Sequence, residues 1–278
     1  MFQGRSLVIA TMHQKEKVIA PILEKELGVN CCVDKSLDTD AFGTFSGEVE
    51  RSLDPVASAR EKCRRAMQST NCDLAVASEG SFGPHPTMFF VPADDEFIVF
   101  IDALNEIEIV VREISTATNF QGKYLSSLSE LTDFARQVGF PSHGLILRKA
   151  PDQNVDIFKG IVDAEKLQSS FEMLYKKYQT VYAETDMRAM YNPTRLRVIA
   201  SATEKLVEKA KSLCPACQMP GFEVSEARKG LPCERCGSPT NSVLSYGYKC
   251  KHCSYAIEER YPNQKVAEDP MYCDFCNP

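Results

Sequence analysis

Short apolar runs and helically spaced apolar positions take turns along the first half of the chain. Residues 6–12 (SLVIATM) form a run of strand length, and Val18, Ile19, Ile22, Leu23 and Leu27 then recur at helical spacing up to Gly28, a stop residue. Pro21 falls early in that helix, where proline is tolerated. Residues 30–33 predict a second strand, and residues 34–51, polar and carrying Gly43 and Gly47, predict an irregular loop. Asp54-Pro55 opens a helix through Ala57, Ala59, Cys63 and Met67 to about residue 70. The Asp accepts orphan amide hydrogen bonds as N-cap, and the Pro suits the first helical position. Residues 72–78 (CDLAVAS) predict a buried strand that ends in a turn-rich loop from Glu79 to Pro86. Strands are expected at 87–91 and 96–102, joined by a turn at Ala93-Asp94-Asp95, and again at 106–114, 144–148 and 155–159. A helix capped by Ser126 or Ser129 runs to about Val138.

This order predicts an α/β domain with some antiparallel hairpins over residues 1–162. From residue 163 the spacing turns helical, with Leu167, Phe171, Leu174, Tyr178 and Val181 on one helix. Asn192-Pro193 breaks the pattern, and Leu196, Ile199, Thr203, Leu206, Ala210 and Leu213 follow at alternating steps of three and four. Residues 163–212 therefore predict a helical hairpin or connector. The seam spans under three heptads, which favours packing within the chain over a homodimer interface.

The cysteines change the picture of the C-terminus. Eight of the twelve fall in four C-x-x-C pairs: Cys214/Cys217, Cys233/Cys236, Cys250/Cys253 and Cys273/Cys276. Two such knuckles complete one tetrahedral four-cysteine zinc site, so residues 213–278 predict a double zinc-ribbon module with two zinc ions. Four protein ligands leave no position for water, which makes both sites structural. Gaps of 15 and 19 residues favour sequential pairing, 214/217 with 233/236 and 250/253 with 273/276. The 13-residue gap between Cys236 and Cys250 keeps a cross-braced pairing open, 214/217 with 250/253 and 233/236 with 273/276. Cys31, Cys32, Cys63 and Cys72 lack such partners, and Cys63 and Cys72 lie on apolar patterns that predict buried thiols.

The formal net charge is −6. Residues 211–278 carry eight Lys/Arg and eight Asp/Glu, and two zinc–thiolate centres would bring them near −4. That balance argues against nucleic acid as the partner. The apolar runs are shorter than a signal-peptide core or a membrane span, so the sequence predicts a cytoplasmic protein, where reducing conditions favour metal over disulfides.

Candidate chemistry clusters where strands give way to helices, the usual ligand-binding edge of an α/β sheet. Thr11, His13, Lys15 and Lys17 follow the first strand, and two lysines at a helix N-terminus suit a phosphate. Asp54 stands with Arg60 and Lys62, and Glu79 precedes Gly80-Ser81, where a carboxylate could hold Mg²⁺ and backbone amides could meet phosphate oxygens.

In this order the three places resemble the inosine/xanthosine triphosphatase family of nucleoside triphosphate pyrophosphatases. That family has a strand and a T-x-N-x-x-K-like turn, a loop with Ser-Gly, an E-T-x-x-G-A-R-N-R-A helix, and an Asp-led strand ending in G-x-E-G-G. The corresponding residues here are Thr11 to Lys17, Ser46-Gly47, Asp54 to Cys63, and Asp73 to Ser81. His13 replaces the Asn, Glu61 the helix Asn and Ser81 the second Gly. The resemblance covers about residues 6–102 and implies an inosine-triphosphatase-like mixed sheet with flanking helices. It also implies a Mg²⁺-dependent hydrolase with Glu79, Lys17 and Asp54 as catalytic residues, Glu50 as an alternative to Asp54, and Thr11, His13, Lys15, Arg60, Gly80 and Ser81 on the substrate. The whole chain also resembles an uncharacterised bacterial family with an EGSFGPHP segment and a cysteine-rich tail. The alternative is a nucleotide-sensing protein without turnover, whose zinc ribbons dock a protein partner.

Overall fold

Leu7, Val8 and Ile9 are all buried, as expected of a strand covered on both faces, and form β1 (Ser6–Ile9). Helix α1 (Glu16–Leu27) turns Ile19, Leu23 and Leu27 inward and stops at Gly28, whose φ of 67° suits glycine. Strand β2 (Asn30–Val33) lies parallel to β1. Helix α2 (Pro55–Thr70) starts as the sequence predicts: the Asp54 carboxylate accepts from Val56 N and Ala57 N. Strand β3 (Leu74–Pro84) is parallel to β1, and β4 (Pro92–Asp102) and β5 (Ile107–Ser115) follow antiparallel, giving a sheet of order β2-β1-β3-β4-β5. This computed structural model describes residues 1–34, 53–151 and 153–278, so the loop expected at 34–51 lies almost wholly outside the described residues.

The expected loop at Glu79–Pro86 and turn at Ala93–Asp95 are both overturned. Glu79 to Pro84 continue β3 in register with β4, from Glu79↔Phe97 to Pro84↔Pro92. The chain reverses at residues 85–91 instead, where His85 N donates to Val91 O at 2.8 Å and His85 Nδ1 accepts from Thr87 N and Met88 N, each at 3.2 Å. The misreading has a physical cause. Asp94 and Glu96 are polar yet buried, so alternation of apolar and polar positions does not mark this part of β4.

A second sheet follows, built from β6 (Gly122–Leu125), β7 (Leu145–Arg148), β8 (Phe158–Ile161) and β9 (Val181–Thr185) in the order β6-β9-β7-β8. Helices α3 (Leu128–Gln137) and α4 (Ala164–Tyr178) bury Leu131, Phe134, Leu167 and Phe171 with Leu125, Leu145, Leu147 and Val181 in one core. Strands β6 and β9 were not expected. The helix thought to carry Val181 ends at Tyr178, because Gln179 adopts a left-handed φ of 65° and closes it. Residues 163–212 therefore supply a strand as well as helices. Helix α5 (Pro193–Lys211) buries Ile199, Thr203, Leu206 and Ala210, so most of the predicted seam is covered within the single chain.

The chain divides into two compact units, residues 1–207 and 208–278. The second unit holds an antiparallel sheet of β10 (Val224–Lys229), β11 (Val243–Lys249) and β12 (Ala256–Arg260). Among the described residues no helix is long and apolar enough to cross a membrane.

Candidate functional site

The eight knuckle cysteines gather into two groups of four, Cys214, Cys217, Cys250 and Cys253, and Cys233, Cys236, Cys273 and Cys276. Sγ–Sγ distances are 3.7 Å for 214–253 and 217–250, 3.9 Å for 233–276 and 3.7 Å for 236–273. A regular tetrahedron with Zn–S bonds of about 2.3 Å puts its sulfurs about 3.8 Å apart, whereas a disulfide needs about 2.05 Å. Both groups therefore fit metal, and the spacing fits zinc. Gln218 N, Gly237 N and Ser254 N donate back to Cys214 O, Cys233 O and Cys250 O at 2.8, 2.9 and 3.0 Å, closing tight turns at positive φ. The pairing is cross-braced, which corrects the sequential expectation. Each segment between knuckles contributes one strand, not a hairpin. A single strand carries the chain away from the first group, so successive knuckles alternate between the two ends of the sheet.

A second constellation lies in residues 1–207. The last β1–β3 pair is Ile9↔Val76, and β3 runs on beyond it. Lys15, just before α1, caps this free stretch: its Nζ donates to Ser78 O at 2.8 Å and Ser78 Oγ at 2.9 Å. On α2, Lys62 Nζ donates to Glu79 Oε1, and both side chains are buried. The opposite face of the β3–β4 ladder carries Gly80, paired with Glu96. Glu96 Oε1 accepts from Arg195 Nε at 2.5 Å, with both side chains 0 % exposed. A Cβ on residue 80 would lie 2.7 Å from Arg195 Nη2 and closer still to Glu96 Oε1, so only glycine fits there. Arg195 also donates from Nη1 to Met187 O at 2.6 Å, and its guanidinium lies 5.1 Å from the centre of the Phe82 ring.

Burial, with Arg195 nearby, lowers the Lys15 ammonium to about 8. Burial and then Glu96 raise the Asp94 carboxyl to about 8. For Lys15 the linkage has a definite sign. Its folded pKa lies below the unfolded value, so its contribution to stability is full above about 10.5 and is lost as pH falls through about 8. The free energy of urea unfolding should accordingly rise between pH 8 and pH 10 for the parent relative to Lys15→Met, by at most about 3 kcal/mol, with the midpoint rising in step. Parallel midpoint curves for the two proteins would contradict this.

Of the residues expected from sequence, Lys15, Glu79 and Gly80 meet in this cluster. Lys17 does not: it is exposed and donates to Gln14 Oε1 at 2.6 Å. Thr11 Oγ1 accepts from His13 N at 3.3 Å, and His13 is half-buried. Asp54 is exposed and serves as the α2 cap. Arg60 makes a two-pronged bridge to Glu108, Nε and Nη2 each 2.7 Å from an oxygen. Ser81 sits in β3 opposite Asp95, which itself bridges to Arg112. Ser46, Gly47 and Glu50 lie outside the described residues.

Sequence reasoning missed Lys62 as the partner of Glu79, read Asp94 as part of a turn, and missed Glu96 and Arg195, although each had a signal. Lys62 falls on the buried stripe Ala59, Cys63, Ala66, and Arg195 on the stripe Val198, Ile199, Ala202. Asp94 and Glu96 precede Ile98 and Phe100 at alternate positions. A charge on an apolar stripe is a charge that must find a partner inside.

Residues 62–278 match the family described as a domain of unknown function, DUF6671, and the chain belongs to that family. The match begins at Lys62, while earlier residues supply β1, α1, β2 and Lys15. No curated protein matches the chain.

Proposed function

We propose that this DUF6671 chain hydrolyses a nucleoside triphosphate or a related phosphate compound, and that its two four-cysteine groups hold structural zinc. The observation that carries the reading is the convergence of Lys15 and Lys62, from separate elements, on Ser78-Glu79, within β3 just beyond its last parallel pair with β1. The two ammonium groups neutralise phosphate oxygens. A phosphate at Lys62 competes with Glu79 for that ammonium, and the released carboxylate takes the proton of the attacking water.

Mg²⁺ bound by Glu79, as the triphosphatase resemblance implies, does not fit these residues. Glu79 Oε1 takes the Lys62 ammonium and, unlike Glu96, Glu79 offers no buried oxygen left without a partner, so no step is drawn through a metal at that carboxylate. The same closed pair favours a second reading, in which the site binds its ligand without turnover and the zinc module docks a protein partner.

The test is release of phosphate or pyrophosphate from a nucleotide panel by the zinc-loaded chain with Mg²⁺ present. Turnover is expected, with Glu79→Gln lowering kcat about 100-fold or more while KM stays within about threefold. A nucleotide that raises the melting temperature with no turnover favours the binding reading. Neither effect with any nucleotide overturns both.

A further inference from the structure

Asp94 is 1 % exposed, and among the described residues neither of its carboxylate oxygens has a hydrogen-bond partner. Two residues along the same face of β4, Glu96 gives one oxygen to Arg195 while Oε2 has none. Three buried carboxyl oxygens without a partner thus lie on one face of one strand, and leaving them unfilled is costly. The ladder places Phe82 beside Asp94 on one side and Ser115 on the other. Ser115 also lines an open cleft of about 490 Å³, together with Glu113, Asn119, Thr194 and Arg197. The strand neighbour of Asp94 therefore borders that cleft, one strand away from the buried carboxyl.

We propose that Asp94 and Glu96 form a divalent-cation site, with water from the Ser115 cleft completing the coordination. Hard carboxylate oxygens select Mg²⁺ or Mn²⁺ over softer ions. The charges are consistent with a catalytic rather than a structural ion. Lys15, Lys62 and Arg195 balance Glu79, Glu96 and an ionised Asp94, so a bound dication leaves an excess of positive charge that a phosphate-bearing ligand would neutralise. The site itself does not rest on the hydrolase reading. It lies on the β4 face of Gly80 and Arg195, not at Glu79.

The experiment titrates Mn²⁺ into the zinc-loaded full chain and follows the loss of free-ion signal by electron paramagnetic resonance. One Mn²⁺ per chain is expected. Asp94→Asn, which keeps the shape, should weaken it at least 30-fold, and Glu79→Gln should leave it within threefold. Melting temperature in the presence of Mn²⁺ supplies an independent reading, rising for the parent and not for Asp94→Asn, with the metal-free melts confirming that both fold. Equal Mn²⁺ binding by parent and Asp94→Asn overturns the proposal, as does absence of binding at millimolar Mn²⁺, which would leave a proton on the pair. Adding methylenediphosphonate should tighten Mn²⁺. Failure of that step alone counts against the phosphate reading and leaves the cation site standing.

Discussion

Chelating the metal held by the two four-cysteine groups should unfold residues 208–278 while residues 1–207 keep their protected amides. The reason is the composition of the smaller unit. Every residue of β10 and of β12 is exposed, and the buried set there consists largely of Cys214, Cys233, Cys250 and Cys273 with Leu231. So little buried apolar surface cannot offset the entropy of ordering the segment. Structural zinc supplies roughly 10–16 kcal/mol per site at neutral pH. Hydrogen exchange before and after chelation reads the effect directly, and intact protection over residues 208–278 in the metal-free chain would disprove it. Zinc stoichiometry tests the pairing at the same time. The parent should carry two ions and Cys214→Ser one. Adding Cys250→Ser to that variant should leave the one ion in place, because both changes fall in the same group. Sequential pairing would lose the second ion as well.

Arg195→Met should destabilise the larger unit by about 3–5 kcal/mol, the usual cost of stranding one member of a buried ion pair. Glu96 would be left buried with the Arg195 Nε hydrogen bond gone, and the Met187 carbonyl would lose its donor. The double variant Glu96→Gln/Arg195→Met should be less destabilised than the sum of the two single changes, since it removes the stranded charge. Urea unfolding of the four proteins gives the coupling. A loss under about 1 kcal/mol for Arg195→Met, or strictly additive changes, would show that Arg195 and Glu96 are held apart by water rather than by each other.

What could be read from the chain follows from where its signals are local. Asp54-Pro55 states a helix start through two adjacent residues, and α2 begins where they say. Gly28 likewise fixes the end of α1. The identity of the cysteine ligands is local too, with two residues between the cysteines of each knuckle, and all eight fall into the two groups. Pairing is not local. It depends on whether a segment between knuckles doubles back, and gap lengths of 13 to 19 residues permit either path. Glu79 reads as part of a loop from sequence, because the glycines around it suggest turns and the β4 partner that straightens them is more than a dozen residues away. Lys62, Asp94, Glu96 and Arg195 each break an apolar stripe, and the stripes were read for their hydrophobic members alone. The expected roles of Lys17 and Asp54 came from motif order, which does not determine which way a side chain turns.

The cross-brace has a topological consequence. The loop closed by the first group runs from Cys214 to Cys253 and that closed by the second from Cys233 to Cys276, so the two interlock over residues 233–253. Tandem ribbons would be separable beads; these are not. A cut within β11 divides the unit into halves that each own two ligands of both groups. A chain severed there would remain one particle for as long as both ions are bound, with metal in place of the peptide backbone as the link.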